Sequence, residues 1–312
     1  MIMHKKLVSA PQSMLFDAVK DAYGTRLALV FGNEYLNGMC PFYNSQCYHC
    51  DIGKGEGLQF SHIMNMNRIK FFESYYRSVL PKVVHLIIYN SGSTLNRQEM
   101  SKKTLDAILT FIRTIEKCRI VSFDSREVFI TENKLSHILK GLRHDQKMRV
   151  VLGVESQSDD VRIGKLYKKM SKRSIDKAFN IIAKFGGQIG IDFNIVFRPP
   201  ELTRREAIRD ACMTVEYGLR LSDKYKVPID FNLHPYYRSS AAISKYPNHP
   251  NADIKDALNT ALQLKKMLKS VNSTSMLFIG CQNEGHDDKR LRKGKTTLGS
   301  ASKINKINSS MA

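Results

Sequence analysis

The sequence predicts an α/β fold: a parallel β-sheet covered by helices and curled into an open or closed barrel. Three observations predict it. Apolar, β-rich runs alternate with amphipathic helical runs along most of the 312 residues. The strand runs are apolar on both faces, as in a sheet covered by helices on each side. Six βα units precede a final strand, more than a four- or five-stranded doubly wound sheet holds.

The elements follow in order. TRLALVF (25–31) is the first strand. Residues 61–80 have helical spacing and begin with a serine, and VVHLIIYN (83–90) is a strand. The helix at 101–117 opens on Ser101, a candidate N-cap. RIVSFD (119–124) is a strand, 132–143 a helix, and MRVVLGVES (148–156) a strand. The helix at 171–187 is closed by Gly186 and Gly187. The strand at 188–197 is stopped by Pro199 and Pro200, and the helix at 203–222 carries a capping box, Thr203 and Glu206. A strand at 227–234, a helix at 253–270 and a last strand at 275–280 complete the series. Residues 1–24 read as an N-terminal extension and 25–285 as the core with a C-terminal cap. Residues 286–312 are polar, basic and nearly free of large apolar side chains, so disorder is expected there.

A single domain of this size buries roughly three quarters of its unfolded surface and needs no staples. The first residues carry no apolar stretch with a cleavage site, and no run of about 18 apolar residues occurs, so a cytoplasmic protein without membrane spans is expected. In that setting clustered cysteines bind metal or do redox chemistry sooner than they form disulfides. The net charge of +20, from 49 basic and 29 acidic residues, favours polyanionic partners, nucleic acid first. A solvated, lysine-rich surface is the alternative. The tail residues Lys289, Arg290, Arg292, Lys293 and Lys295 form an obvious electrostatic arm. With no arginine-rich helix and no aromatic ribonucleoprotein motif, charge alone names no partner.

In parallel βα folds chemistry collects at the carboxyl ends of the strands. Behind the first strand lies C-x6-C-x2-C: Cys40, Cys47 and Cys50. Structural zinc needs four ligands, usually in two close pairs. Here there is one pair and an outlier, with His49 and His62 as poor fourth ligands. Three thiolates and no fourth suit a [4Fe–4S] cluster whose remaining iron is free to chelate a small molecule. Cys118 and Cys212 fall in or beside helical periodicity and read as packing residues. The GKGEG after Cys50 is no phosphate loop, and HExxH and GxSxG are absent. The second strand ends in NSGST (90–94), where Gly92 lets backbone approach a ligand. The third ends in FDSREVFIT (123–131) and the fourth in LGVESQSDD (152–160). A buried glutamate such as Glu155 is rarely structural without a partner.

These motifs, in this order, resemble those of the radical S-adenosylmethionine (radical SAM) superfamily. That family places C-x3-C-x2-C after the first strand of a partial TIM-type (β/α)6 barrel, with an aromatic residue two positions before the last cysteine. Tyr48 stands there; the first gap is longer here, as in the elongator catalytic subunit. The resemblance covers about residues 25–285 and implies the following roles. Cys40, Cys47 and Cys50 hold the [4Fe–4S] cluster. Ser91, Gly92 and Ser93 form the turn that meets the amino group of S-adenosyl-L-methionine. Asp124 faces the ribose hydroxyls, with Ser125 and Glu127 as close alternatives. Glu155 and Ser156 fill the G-x-(E/Q)-S signature, and Lys168 or Lys169 supplies the basic group near the cofactor carboxylate. Asp192 and Asn194 on the fifth strand are candidate cofactor or substrate contacts. Cys281 either touches substrate or is a buried bystander. The double proline with LTRREAI, YNSGSTLN and FIGCQNEGHDD resemble the radical SAM proteins of archaeosine biosynthesis. The implied activity is reductive cleavage of S-adenosyl-L-methionine to a 5′-deoxyadenosyl radical that abstracts hydrogen from a substrate. A flavodoxin- or ferredoxin-type electron donor is implied, with a modified base in tRNA as substrate and a separate partner enzyme. A small molecule or peptide is the alternative substrate, and a zinc-bearing RNA-binding protein the non-enzymatic alternative. The 253–270 helix and the last strand are expected to cap the site laterally.

Overall fold

A computed structural model describes residues 15–43, 45–280 and 298–310. Its strands form one eight-stranded sheet in sequence order: β1 (Val19–Asp21), β2 (Gly24–Phe31), β3 (Val83–Asn90), β4 (Ile120–Asp124), β5 (Lys147–Glu155), β6 (Ile189–Phe197), β7 (Ile229–Pro235) and β8 (Leu277–Ile279). β1 is antiparallel to β2, and β2 to β8 are parallel neighbours. The sheet curls into a nearly closed barrel of the TIM type. Helices α1 (His62–Tyr75), α2 (Lys102–Arg113), α3 (Glu132–Gly141), α4 (Lys172–Ala183), α5 (Arg204–Tyr225) and α7 (Ile254–Ser270) cross between strands, and a short α6 (Ser240–Lys245) follows β7. Ser61, Ser101, Ser171, Thr203 and Asp253 each accept an N–H of the first turn, so the caps sit where the sequence puts them. No helix among the described residues is long and apolar enough to cross a membrane.

The outer faces of the strands pack on the helices through Leu27, Leu29, Phe31, Leu86, Ile88, Phe193 and Phe231, all buried. The inner faces differ from the expectation of apolar residues on both sides. Their upper half is apolar, with Ala28, Val30, Ile87, Tyr89 and Val151 around Phe16. The lower half is a charge network. Arg149 Nη2 lies 2.9 Å from Asp230 and its Nε 2.5 Å from Asp192. His85 sits between Asp21 (2.7 Å) and the Ser122 hydroxyl (2.8 Å), and the Tyr23 hydroxyl donates to Asp230 at 2.7 Å. Every charge there has a partner, which is the condition for burying it. β6 and β7 both read IDFN and pair in register, Asp192 beside Asp230 and Asn194 beside Asn232.

β1 and β8 do not pair with each other. The seam between them is covered by α8 (Leu298–Asn308), which packs on both strands. This corrects the expectation of a disordered tail for residues 298–308: Ile304 and Ile307, three apart on one helical face, are buried, and the surrounding lysines obscure that pair in the sequence. The Asn308 amide accepts from Ile279 N–H at 2.8 Å and donates to its carbonyl at 3.1 Å. The ammonium of Lys265 on α7 caps the helix end through the carbonyls of Ile307 and Ser310 and the Ser310 hydroxyl. Residues 286–297, with the proposed arm at Lys289, Arg290, Arg292, Lys293 and Lys295, lie outside the described residues, as does Cys281.

Candidate functional site

The carboxyl ends of the strands surround a cavity of about 190 Å³, and the loop after β2 forms one wall of it. That loop folds back on itself: Gly38 takes φ +64°, and a Cβ there would lie 1.8 Å from the Leu58 carbonyl oxygen. The Cys40 N–H donates to the Gly53 carbonyl at 2.8 Å and the Cys50 N–H to Cys47 at 3.2 Å. Asp51 ties the loop to the end of β7, its N–H donating to the Tyr237 hydroxyl at 3.1 Å and its carboxylate accepting from Ser240 N–H at 2.9 Å. A buried Arg68–Glu56 pair at 2.5 and 2.9 Å holds the far limb. Cys40, Cys47 and Cys50 are free thiols that line the cavity together. Burial raises the Cys40 thiol and pushes Cys50 up to about 11. The Arg126 guanidinium reaches Cys47 Sγ at 3.5 Å and lies over the Phe42 ring.

The other walls come from the strand ends. After β3 the turn bends at Gly92, with φ +151°, and a Cβ there would sit 1.6 Å from Glu99 Oε2. Glu99, fully buried, accepts the Ser93 N–H at 2.9 Å and the Asn96 amide, and burial raises its carboxyl. Asp124 at the end of β4 lines the cavity while accepting the N–H groups of Asn90 (3.2 Å) and Thr94 (3.3 Å). Burial, reinforced by Glu99, holds its carboxyl well above the usual range despite those bonds. At the end of β5, Glu155 has φ +70°, rare for a residue with a Cβ, and pairs with Lys168 at 2.6 Å and His49 at 3.4 Å. Burial opposes its charge, but Lys168 and then His49 outweigh it and hold the carboxyl below the usual range. Burial also holds His49 below its ordinary value, against the pull of Glu155.

The cavity thus brings together Cys40, Cys47, Cys50, Gly92, Asp124, Ser125, Glu155, Lys168 and Asn194. Seven candidates lie off its walls, one of them Lys169, the alternative to Lys168. Asp192 is spent on Arg149 beneath it. The Ser156 hydroxyl donates to Asp210 at 2.6 Å, and the Ser93 hydroxyl accepts from Arg126 N–H at 3.2 Å. Ser91 is buried with its carbonyl accepting from Asn33, and Tyr48 packs edge-on against Tyr167. Glu127, the alternative to Asp124, meets Arg126 and Ser174 instead. Sequence inspection did not single out Arg126, His234, Tyr236 or Tyr237, which line the cavity, nor Glu99, which supports it. His234 and Tyr237 had one signal, their place just at the end of a parallel strand.

The donor set fits a [4Fe–4S] cluster held by three thiolates. The thiols share one wall, with two cations, Arg126 and Lys168, among the other lining residues. Among the described residues no three His, Cys, Asp or Glu side chains converge as ligands of one ion.

No family model matches the chain. An uncharacterized protein of Methanocaldococcus jannaschii is 29% identical over 134 residues, 43% of this chain and 36% of that protein. The archaeosine synthase subunit beta of Methanosarcina acetivorans is 23% identical over 140 residues, 45% of this chain and 40% of the relative. The matched stretches therefore span less than half of either relative. Among solved structures, a radical SAM methyltransferase from Sphaerobacter thermophilus superposes with a TM-score of 0.52 at 11% identity, over 82% of this chain and 66% of its own. At that identity the likeness is one of fold.

Proposed function

We propose that this chain, which has the fold of radical SAM enzymes, is itself one, holding a [4Fe–4S] cluster on Cys40, Cys47 and Cys50 and acting on S-adenosyl-L-methionine. The observation that carries it is that those three thiols line one cavity, at the carboxyl ends of the strands, together with Gly92, Asp124 and the Glu155–Lys168 pair. Held by those three cysteines, such a cluster would supply the electron for reductive cleavage of S-adenosyl-L-methionine. The protein's part is placement. The turn at Gly92, braced by Glu99, brings bare backbone to the wall for the ammonium end of the cofactor. Lys168 sets a cation beside the same site for the carboxylate. Asp124 and Ser125 offer oxygens to hydroxyl groups, and Phe42, Tyr43, Tyr89, Tyr236 and Tyr237 exclude water around the reacting atoms.

The substrate we propose is a modified base in tRNA. The net charge of +20 and the partial likeness to an archaeosine synthase subunit support it. That relative is named as a subunit, which supports a separate partner enzyme; a flavodoxin- or ferredoxin-type protein supplies the electron, in the cytoplasm. The test is anaerobic reconstitution with iron and acid-labile sulfide analysis. About four irons are expected, lost in Cys40→Ala, Cys47→Ala or Cys50→Ala and kept in Cys118→Ala. One tight zinc without sulfide would overturn the enzyme reading in favour of a zinc-bearing RNA-binding protein. 5′-Deoxyadenosine formed under dithionite should rise with tRNA; no rise with modified tRNA would move the substrate to a small molecule or peptide.

A further inference from the structure

Beneath Asn194, which lines the cavity, two buried side chains set its hydrogen-bond direction. Arg26 on β2 is 1% exposed and lies 3.8 Å from the centre of the Phe278 ring. Its Nη1 donates to Asn232 Oδ1 at 3.3 Å. A guanidinium carries donors only, so the oxygen of Asn232 must face it. The Asn232 Nδ2 is thereby turned toward β6, where it donates to Asn194 Oδ1 at 2.9 Å. Asn194 lines the cavity. With its oxygen engaged, its amide nitrogen is the group left for a ligand. An asparagine at a cavity wall ordinarily offers either end, because the amide can turn over; this one cannot without breaking the bond below it. The IDFN repeat makes the arrangement possible, since the two asparagines are in register on adjacent strands.

We propose that Arg26 and Asn232 are positioning residues that make Asn194 a dedicated hydrogen-bond donor, selecting a ligand that presents an acceptor, a ring nitrogen or carbonyl oxygen of a nucleobase, at this point. Tyr89, Val151 and Val196 line the same cavity and give a flat heteroaromatic ring its apolar contacts. A buried donor rejects a ligand that meets it with another donor, because both groups are then left unpaired. The inference rests on the reading of the cavity as an S-adenosyl-L-methionine site only for its choice of probe, whose adenine carries ring-nitrogen acceptors.

The test uses reconstituted protein and equilibrium dialysis of S-adenosyl-L-methionine, with iron content measured in parallel. Asn194→Asp keeps the shape and removes the donor. Asn232→Asp keeps an acceptor for Arg26 but offers no N–H to Asn194, which turns over and shows its oxygen to the cavity. Both should weaken binding about tenfold or more at unchanged iron content. In an Asn194→Ala background Asn232→Asp should cost nothing further, whereas a merely structural role for Asn232 would cost the same in both. Wild-type affinity in Asn194→Asp, or an equal Asn232→Asp loss in both backgrounds, overturns the proposal. Neutron density of the unliganded protein gives a second arm: Asn194 Nδ2 toward the cavity is expected, and the oxygen there overturns it. A wild-type chain that takes up no S-adenosyl-L-methionine but keeps this orientation would sink the proposed function and leave the donor site standing.

Discussion

Lys168→Met isolates the electrostatics of the cavity wall. Glu155 and Lys168 are 2.6 Å apart with 6% and 9% of their side chains exposed. Methionine keeps most of the lysine stem and removes only the ammonium, leaving a buried carboxylate with His49 at 3.4 Å as its remaining ionic neighbour. Removing one partner of a buried pair costs about 3–5 kcal/mol. For a chain of 312 residues that corresponds to about 5–8 °C in Tm. The loss should depend on pH. Burial opposes the Glu155 charge, but Lys168 foremost holds the carboxyl below its unfolded value of 4.5, so its contribution is present above that value and lost as pH falls through the folded one. In the variant burial wins, Glu155 takes up a proton, and wild type and variant converge toward acid pH. Thermal melts at pH 8 and pH 5, with Glu155→Gln/Lys168→Met as the fourth corner of the cycle, check this. The double variant should recover most of the loss at pH 8. If it melts as low as Lys168→Met alone, the uncompensated carboxylate is not the cause.

Three further outcomes are expected. Gly92→Ala forces a Cβ to within 1.6 Å of Glu99 Oε2 at φ +151°; it should cost about 1–3 kcal/mol and abolish S-adenosyl-L-methionine uptake, and wild-type melting and uptake would refute the fit. Arg149→Met leaves Asp192 and Asp230 buried without their counter-ion; soluble expression should fail, and Asp192→Asn with Asp230→Asn should restore it. Burial holds the Asp210 carboxyl up at about 6, against the Ser156 hydrogen bond. Its protonated form therefore stabilises the fold below the unfolded value of 3.8, and that support is lost as pH rises through about 6. Asp210→Asn should gain on wild type by about 2–3 kcal/mol between pH 4 and pH 8, read from urea melts; a pH-independent difference would contradict the shift.

The strand order was legible because the strands are rich in apolar, β-prone residues and most helices open on a capping residue, both local signals. The cysteine loop was legible because its spacing is local as well. The interior charge network was not. The partners of His85 are Asp21 and Ser122, and those of Arg149 are Asp192 and Asp230, brought together only when the barrel closes. Ser91, Ser93 and Ser156 stand beside residues that line the cavity, and in a strand-end turn a shift of one residue decides which side a hydroxyl faces. The hydroxyls of Ser93 and Ser156 bond to the Arg126 N–H and the Asp210 carboxylate instead. Glu99, five residues past the turn it braces, carries no local mark of that role.

Asn308 has a consequence beyond closing the seam. A bare β8 would present the Ile279 N–H and carbonyl along an open edge, the template on which a second chain adds a strand. The amide of Asn308 meets both groups as a neighbouring strand would, and then ends, because it belongs to a helix that cannot propagate a sheet. One planar side chain thus terminates the hydrogen-bond ladder and guards the molecule against edge-to-edge self-association.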